Sequence, residues 1–168
     1  MKRAGAFTLV EILIVVVLLG VLAAMVVPTF SRATTPAKES AMASELAMLR
    51  RFVLIYASQH LEVAPGYPNG DSTAAPTEAA FRDQAMLSSN TSGQTAAIGM
   101  PGFPHGPYLS RIPINPFNGL DTVHMLANGQ AFPAAADNNH GWICKPETGE
   151  VRPDNTGVTG DGLAYYDF

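Results

Sequence analysis

The 168-residue chain has a single cysteine, Cys144, so no disulfide can form within it. Cys144 lies in the run Gly-Trp-Ile-Cys-Lys at 141–145, which predicts a small buried residue in a strand rather than a reactive thiol. Without a Cys pair the chain lacks the usual ligands of a structural zinc site. The four histidines show no ligand spacing and are expected on the surface or in loops: His60, His105, His124 and His140.

Clustered positive charge is also scarce. The chain has 10 Lys and Arg against 14 Asp and Glu, a formal net charge of −4. Its single basic doublet outside the N-terminus, Arg50-Arg51, is expected on a solvated helix face. Because neutralising phosphates needs grouped Lys and Arg, nucleic acid is not expected as a partner.

Known catalytic motifs are missing as well. The sequence contains no G-x-S-x-G, no P-loop and no H-E-x-x-H. We therefore predict that the protein is not an enzyme.

The most informative stretch is the first thirty residues. Lys2 and Arg3 precede a long apolar run that has no polar side chain from residue 12 to residue 27 and contains one acid near its start, Glu11. This length suits a membrane-spanning helix. A carboxylate there costs about 2.5–3.5 kcal/mol near a helix centre and less near an end, so it needs a partner. A cut before Phe7 would create a positive amino group four residues from Glu11.

The hexapeptide Ala-Phe-Thr-Leu-Val-Glu at 6–11 resembles the cleavage site of the type IV pilin and type II secretion pseudopilin family. The resemblance implies cleavage by a prepilin peptidase between Ala6 and Phe7 and N-methylation of Phe7. Ala6 stands where the family usually has Gly. The same resemblance implies that Glu11, Gly20 and Pro28 serve in assembly. Loss of Lys2 and Arg3 with the leader would make the mature chain about two charges more negative.

An ordinary secretory signal is the alternative interpretation of this stretch. No A-x-A site follows the apolar run, and the small-residue site precedes it instead. The run would therefore remain after cleavage as a single-pass anchor. The positive leader predicts a cytoplasmic N-terminus, with the rest of the chain on the periplasmic side of a bacterial inner membrane.

The chain is predicted to have four parts. Residues 1–6 are the leader, 7–30 a transmembrane and assembly helix, 31–61 an amphipathic helix and 62–168 a small globular periplasmic domain. The amphipathic helix is predicted from apolar residues spaced three and four apart, namely Met42, Leu46, Leu49, Val53 and Tyr56 or Ala57. A kink or local unwinding is expected between Gly20 and Pro28, with a second bend at Pro36.

The globular part is predicted as α+β. A short helix is expected at 76–88, a loop at 90–106, and strands at 122–126, 141–145 and 150–152, the last two joined by a hairpin. The fold class is pilin-like: a long N-terminal helix packed on a small antiparallel sheet with a loop-rich C-terminal region. Because successive strand residues alternate sides, only one of Trp142 and Ile143 can join the core under the helix.

The segments at 106–109 and 112–119 resemble the C-terminal region of the major (G-type) pseudopilins. That resemblance also implies a calcium-stabilised C-terminal loop. Hard oxygen ligands suited to Ca²⁺ occur in the Gly-rich tail at Asp154, Asn155, Asp161 and Asp167. An ordinary polar tail is the alternative, and no other cofactor is expected.

We therefore predict a structural subunit of a type II secretion pseudopilus. Its expected partners are copies of itself in a helical filament, prepilin peptidase, the inner-membrane assembly platform and minor pseudopilins. A type IV pilus or DNA-uptake pilin is the first alternative, although many such pilins carry a C-terminal disulfide that this chain cannot form. A membrane-tethered binding module is the second alternative, and it would have no use for a peptidase site before its anchor.

Overall fold

The computed structural model describes the backbone of residues 8–168 and the side chains of residues 8–24 and 34–168. The chain divides into two compact units, Met1–Lys38 and Glu39–Phe168, which are described separately below. The boundary between the two units lies within the segment 31–61 that is predicted as the amphipathic helix.

One long helix, α1, runs from Leu9 to Gln59. The prediction that the apolar and amphipathic segments form one helix is confirmed. The unwinding expected between Gly20 and Pro28 is absent, since both residues and Pro36 lie inside α1. A proline removes one N–H from the helix ladder, and the hydrogen bonds on either side are sufficient to keep this backbone helical.

The second unit adds one further α-helix and five short strands to the end of α1. These are α2 (Glu78–Met86), β1 (Ser88–Ser89), β2 (Thr95–Ala96), β3 (Val123–Met125), β4 (Trp142–Lys145) and β5 (Glu150–Pro153), with single 3₁₀ turns at Pro68–Gly70 and Tyr165–Asp167. The predicted α2 and the strands β3 to β5 are confirmed. The small β1–β2 pair lies at the start of the expected loop and was not predicted.

The main sheet has the order β3-β4-β5 and is mixed. β4 and β5 are antiparallel, as the tight turn at 146–149 requires. β3 is parallel to β4, which corrects the expectation of an antiparallel sheet throughout. The physical reason is the long connection at 126–141, which brings the chain back to the same end of the sheet.

The core of the second unit lies under one face of α1. The predicted stripe is buried at Met42, Leu46, Leu49, Val53 and Tyr56, and Phe52 joins it. Trp142, Cys144 and Val151 pack in the same cluster. Burial raises the pKa of the Cys144 thiol to about 12, so Cys144 is the inert core residue that the sequence predicted.

Both faces of β4 are buried. Trp142 belongs to the cluster under α1, and its indole Nε1 donates to the Pro113 carbonyl at 2.8 Å. Ile143 points to the other face and packs with Leu126, Ala136 and Tyr166. The prediction that only one of these two side chains joins the core under α1 is confirmed. The second cluster was not predicted.

Side chains from the helices bind the outer edges of the sheet. The Arg50 guanidinium donates to the Val151 carbonyl on β5, with nitrogen–oxygen distances of 3.2 and 3.0 Å. On the opposite edge, the Val123 N–H donates to Glu78 at 3.2 Å, and Arg82 donates to the Asp121 carbonyl at 2.8 Å. The doublet Arg50-Arg51 lies on an exposed face of α1 as predicted, and Arg50 in addition makes this structural contact.

His60 lies in the turn after α1, which agrees with the predicted loop position, but its side chain is buried and not on the surface. Its ring stacks on Tyr56 with centroids 3.7 Å apart. Nδ1–H donates to the Tyr56 carbonyl at 2.7 Å, and Nε2 lies 2.9 Å from the Ser89 hydroxyl. The helix ends at Gln59 and the chain turns sharply through Leu61 and Glu62, both at positive φ, which folds the imidazole back onto the helix.

Burial lowers the pKa of His60, with a smaller opposing contribution from its bond to the Tyr56 carbonyl. Below the pKa of an exposed histidine, about 6.5, the unfolded chain binds the proton more readily than the folded chain. Stability is therefore fully present above that pH and is lost as pH falls toward the lower folded-state pKa. We expect His60→Gln to weaken this loss of thermal stability on acidification.

The pH dependence of stability is measured as the unfolding temperature of the full chain in detergent. The range runs from roughly pH 8 to pH 5, on either side of the ordinary histidine pKa. His124→Gln, at a half-buried histidine on β3, is the control for replacing a histidine elsewhere in the same unit. An unchanged pH dependence in His60→Gln would contradict the assignment.

Candidate functional site

The first candidate site is the start of α1. Thr8 immediately precedes the helix, and its N–H and hydroxyl both donate to Glu11 Oε2 at 2.8 Å. In return, the Glu11 N–H donates to the Thr8 hydroxyl at 3.3 Å. This reciprocal arrangement is a capping box, which satisfies N–H groups that have no partner within the helix. Glu11 therefore has a partner in its own chain, which the sequence analysis missed although the Thr-x-x-Glu spacing is its signature.

The predicted cleavage residues, Ala6 and Phe7, lie outside the described residues. The helix that follows presents apolar side chains on every side. Residues 9–24 are all exposed, from 49% at Val15 to 83% at Leu9 among the large apolar side chains. Apart from its chain neighbours and the backbone of its own helix, no described atom lies within 4 Å of the position that a Cβ on Gly20 would take. Pro28 lies within α1, but its side chain is outside the described part.

In the part of the chain that the structure describes, no helix is long and apolar enough to cross a membrane.

The second candidate site is the buried carboxylate of Asp154, at the end of the β5 region. Its Oδ1 accepts the backbone N–H groups of Asp137 and Asn138, at 2.8 and 3.2 Å. Its Oδ2 accepts the N–H of His140 at 2.9 Å. Three backbone donors therefore surround one buried anion, which fixes the turn that leads into β4.

The other predicted calcium ligands have protein partners or lie elsewhere. Asn155 accepts the Gly157 N–H at 3.1 Å, Asp167 lies 3.9 Å from Arg152, and Asp161 is exposed in a tail turn. Within the described residues, the group of potential metal ligands that comes together is Asp137, His140 and Asp154, with ligand atoms within 4.8 Å. The N–H donors on Asp154 would compete with a cation. Calcium at the four tail residues stays a prediction.

Two asparagines in the segment 112–119 have a role that the sequence analysis did not assign. The buried Asn115 donates from Nδ2 to the Gly141 carbonyl at 2.9 Å. Asn118 donates from Nδ2 to the carbonyls of His140 and Asp154, at 2.7 and 3.0 Å. Each also accepts a backbone N–H two residues further on, from Phe117 and Leu120. Together they join this loop to the entry of β4 and the end of β5.

We expect Asp154→Asn to destabilise the protein. The amide oxygen can still accept two of the three N–H groups, but the amide NH₂ then faces the third, which is also a donor. The buried N–H left without an acceptor costs about 1–3 kcal/mol. The measurement is urea unfolding of the full chain in detergent. Asp161→Asn, at an exposed position of the same tail, is the control and should change stability by less than about 0.5 kcal/mol. Equal stability of the two variants would show that the turn held by these three N–H groups does not need the charge of the Asp154 carboxylate.

The comparisons with known proteins agree with this geometry. The family model described as "Prokaryotic N-terminal methylation motif" matches residues 1–27, which contain the Thr8–Glu11 capping box. The chain is similar to the "Type II secretion system core protein G" of Klebsiella pneumoniae, with 32% identity over 130 residues that cover 77% of this chain and 79% of that relative. No solved structure matches the chain significantly. The N-terminal motif, the long helix on a small sheet and this relative together show that the chain belongs to the family of type II secretion pseudopilins, which are structural proteins.

Proposed function

We propose that the protein is a type II secretion pseudopilus subunit that a prepilin peptidase cuts between Ala6 and Phe7, with methylation of the new Phe7 amine. The observation that carries this proposal is the placement of Glu11 at the start of a helix whose apolar surface is exposed on all sides. An exposed apolar surface of this size needs lipid or other apolar helices to cover it. A filament core and a membrane are the two environments that supply such cover.

After cleavage, Glu11 would also form an ion pair between subunits. The Phe7 amine of one subunit would pair with the Glu11 carboxylate of its neighbour, since an unpaired carboxylate among apolar helices is costly and a paired one is tolerated. Both hydrogen bonds from Thr8 end on Oε2, and Oε1 takes no part in them. A neighbouring ammonium group could therefore approach Oε1 while the helix cap stays in place. The pair would set the register between subunits.

Before assembly, the subunit would wait in the inner membrane as a single-pass protein with its second unit in the periplasm. Lys2 and Arg3 in the leader support this orientation. On assembly, the apolar part of α1, including Gly20 and Pro28, would pass from lipid into the filament core. The assembly platform and minor pseudopilins would be its partners in this step.

The N-terminal mass tests the processing. We expect the membrane protein to have lost residues 1–6 and to have gained one methyl group. Intact-mass measurement on the purified full-length product gives the answer. Retention of the leader, or a cut after the apolar run, would contradict the proposal and favour a plain anchor or a secretory signal.

Substitutions at Glu11 test the charge pair separately from the helix cap. Glu11→Gln keeps a side chain that can complete a capping box but has no charge, whereas Glu11→Ala removes both. Breaking a buried ion pair costs about 3–5 kcal/mol, and each 1.4 kcal/mol corresponds to tenfold in an equilibrium. We therefore expect both variants to lower filament yield by at least about tenfold, with normal membrane insertion and cleavage.

Filament yield is measured by shearing and immunoblotting, beside the N-terminal mass of each variant. Wild-type yield from Glu11→Gln would show that the cap, and not the charge, is what assembly requires.

A further inference from the structure

The second unit carries an exposed loop without a single polar side chain. This apolar loop, residues 97–104, reads Ala-Ile-Gly-Met-Pro-Gly-Phe-Pro. Ile98 is 64% exposed and Met100 is 49% exposed. The surrounding sequence is also uncharged, because no Asp, Glu, Lys or Arg occurs between Asp83 and Arg111. Contiguous apolar surface of this kind marks an interaction site more often than scattered single residues do.

The loop is held in one shape by its own backbone. The N–H of Met100 donates to the Ala97 carbonyl at 3.1 Å, and the N–H of Phe103 donates to the Met100 carbonyl at 3.2 Å. Gly99 and Gly102 occupy the third positions of these turns with φ of 81° and 89°, as type II turns require. Two consecutive turns restrict the backbone that carries Ile98 and Met100, so little backbone entropy is left to lose on binding.

A groove of about 450 Å³ lies elsewhere on the same unit, between α1 and the turn that joins β4 to β5. Its apolar lining includes Val53, Leu54, Ala57, Ala64, Pro146 and Gly149. Leu54 is 72% exposed, so this apolar surface is open to solvent.

Three charged residues line the groove, namely Arg50, Glu62 and Glu147, and Arg50 and Glu147 have partners within the chain. Arg50 donates to the Val151 carbonyl. Glu147 accepts the Gly129 N–H at 2.9 Å and lies 3.6 Å from the Lys145 ammonium. An uncharged occupant can therefore enter the groove without displacing these contacts.

We propose that the apolar loop of one copy docks in this groove of a second copy, as a head-to-tail contact between neighbouring second units. This inference rests on the proposed function, because it assumes that copies assemble. Loop and groove are different parts of one surface, so each contact leaves one loop and one groove free for further copies. Such heterologous contacts do not close into pairs, and they continue into open helical polymers wherever the rotation between copies does not close a ring.

A contact of this size requires that the two copies already be held together by another part of the chain. Two exposed side chains on one short loop bury far less than the roughly 1,200 Å² that stable specific interfaces need. The contact would be too weak to hold two free subunits together. Once the N-terminal helices hold the copies side by side, the loop meets the groove at a high effective concentration. The same small contact is then sufficient for docking.

Cysteine pairs in the full-length chain test this directly. Met100→Cys places a thiol in the loop and Leu54→Cys places one in the groove, both at exposed positions that tolerate substitution. The native Cys144 is buried and should not react. In host cells that assemble the filament, mild oxidation of the double variant should give a ladder of dimers, trimers and longer products. Neither single variant should give a ladder, and Met100→Cys with Asp161→Cys is the matched control pair.

The outcomes separate this inference from the proposed function. Processed subunits and normal filaments without a ladder from the Leu54/Met100 pair would overturn the docking contact alone. Dimers from Met100→Cys by itself would also overturn it, because they show that loops meet loops. Unprocessed chains without filaments or ladder would overturn both proposals.

Discussion

The second unit depends on the removal of one stripe of α1 from water. Each large apolar side chain that becomes fully buried contributes about 1.5–3 kcal/mol, and the stripe from Met42 to Tyr56 contains several. The surface that covers the stripe is small, because β4 and β5 have four residues each. β4 compensates by using both of its faces, with Trp142 under the helix and Ile143 in the second cluster. The stripe of α1 and the face of the sheet that carries Trp142 therefore depend on each other for burial.

The closed edges of the sheet fit the task of an assembling subunit. Unpaired strand edges invite other chains to add strands, which is uncontrolled polymerisation. Here Arg50 binds the backbone of β5 and Glu78 binds the backbone of β3. Strand addition is thereby disfavoured at both edges, and in the proposed filament assembly would rest on the N-terminal helix and on side-chain contacts between the second units. The same three-stranded sheet can thus lie on the outside of a polymer without being part of its backbone.

Sequence reasoning succeeded where a structure is encoded locally. The stripe of α1, the helix α2 and the β4–β5 hairpin each follow from spacing or turn residues within one short segment. It failed where the cause lies far along the chain. The direction of β3 depends on the long 126–141 connection, and the burial of His60 depends on Ser89, which is 29 residues away. Of the candidate site, the acid Glu11 was predicted from its cost in an apolar run, but its bond to Thr8 was not.

The capping box at the start of α1 has a consequence for the charge on a mature N-terminus. The aligned peptide dipoles of a helix give its first turn a partial positive charge, which favours anions and disfavours cations there. Glu11 in the first turn agrees with this preference. In the proposed mature subunit, the new ammonium group of Phe7 would lie beside that same positive helix end. Beside a second helix the ammonium would gain a further carboxylate, because Oε1 of the neighbouring Glu11 takes no part in the Thr8 bonds. The electrostatics of an isolated mature helix are thus unfavourable at its tip and become favourable beside a second one.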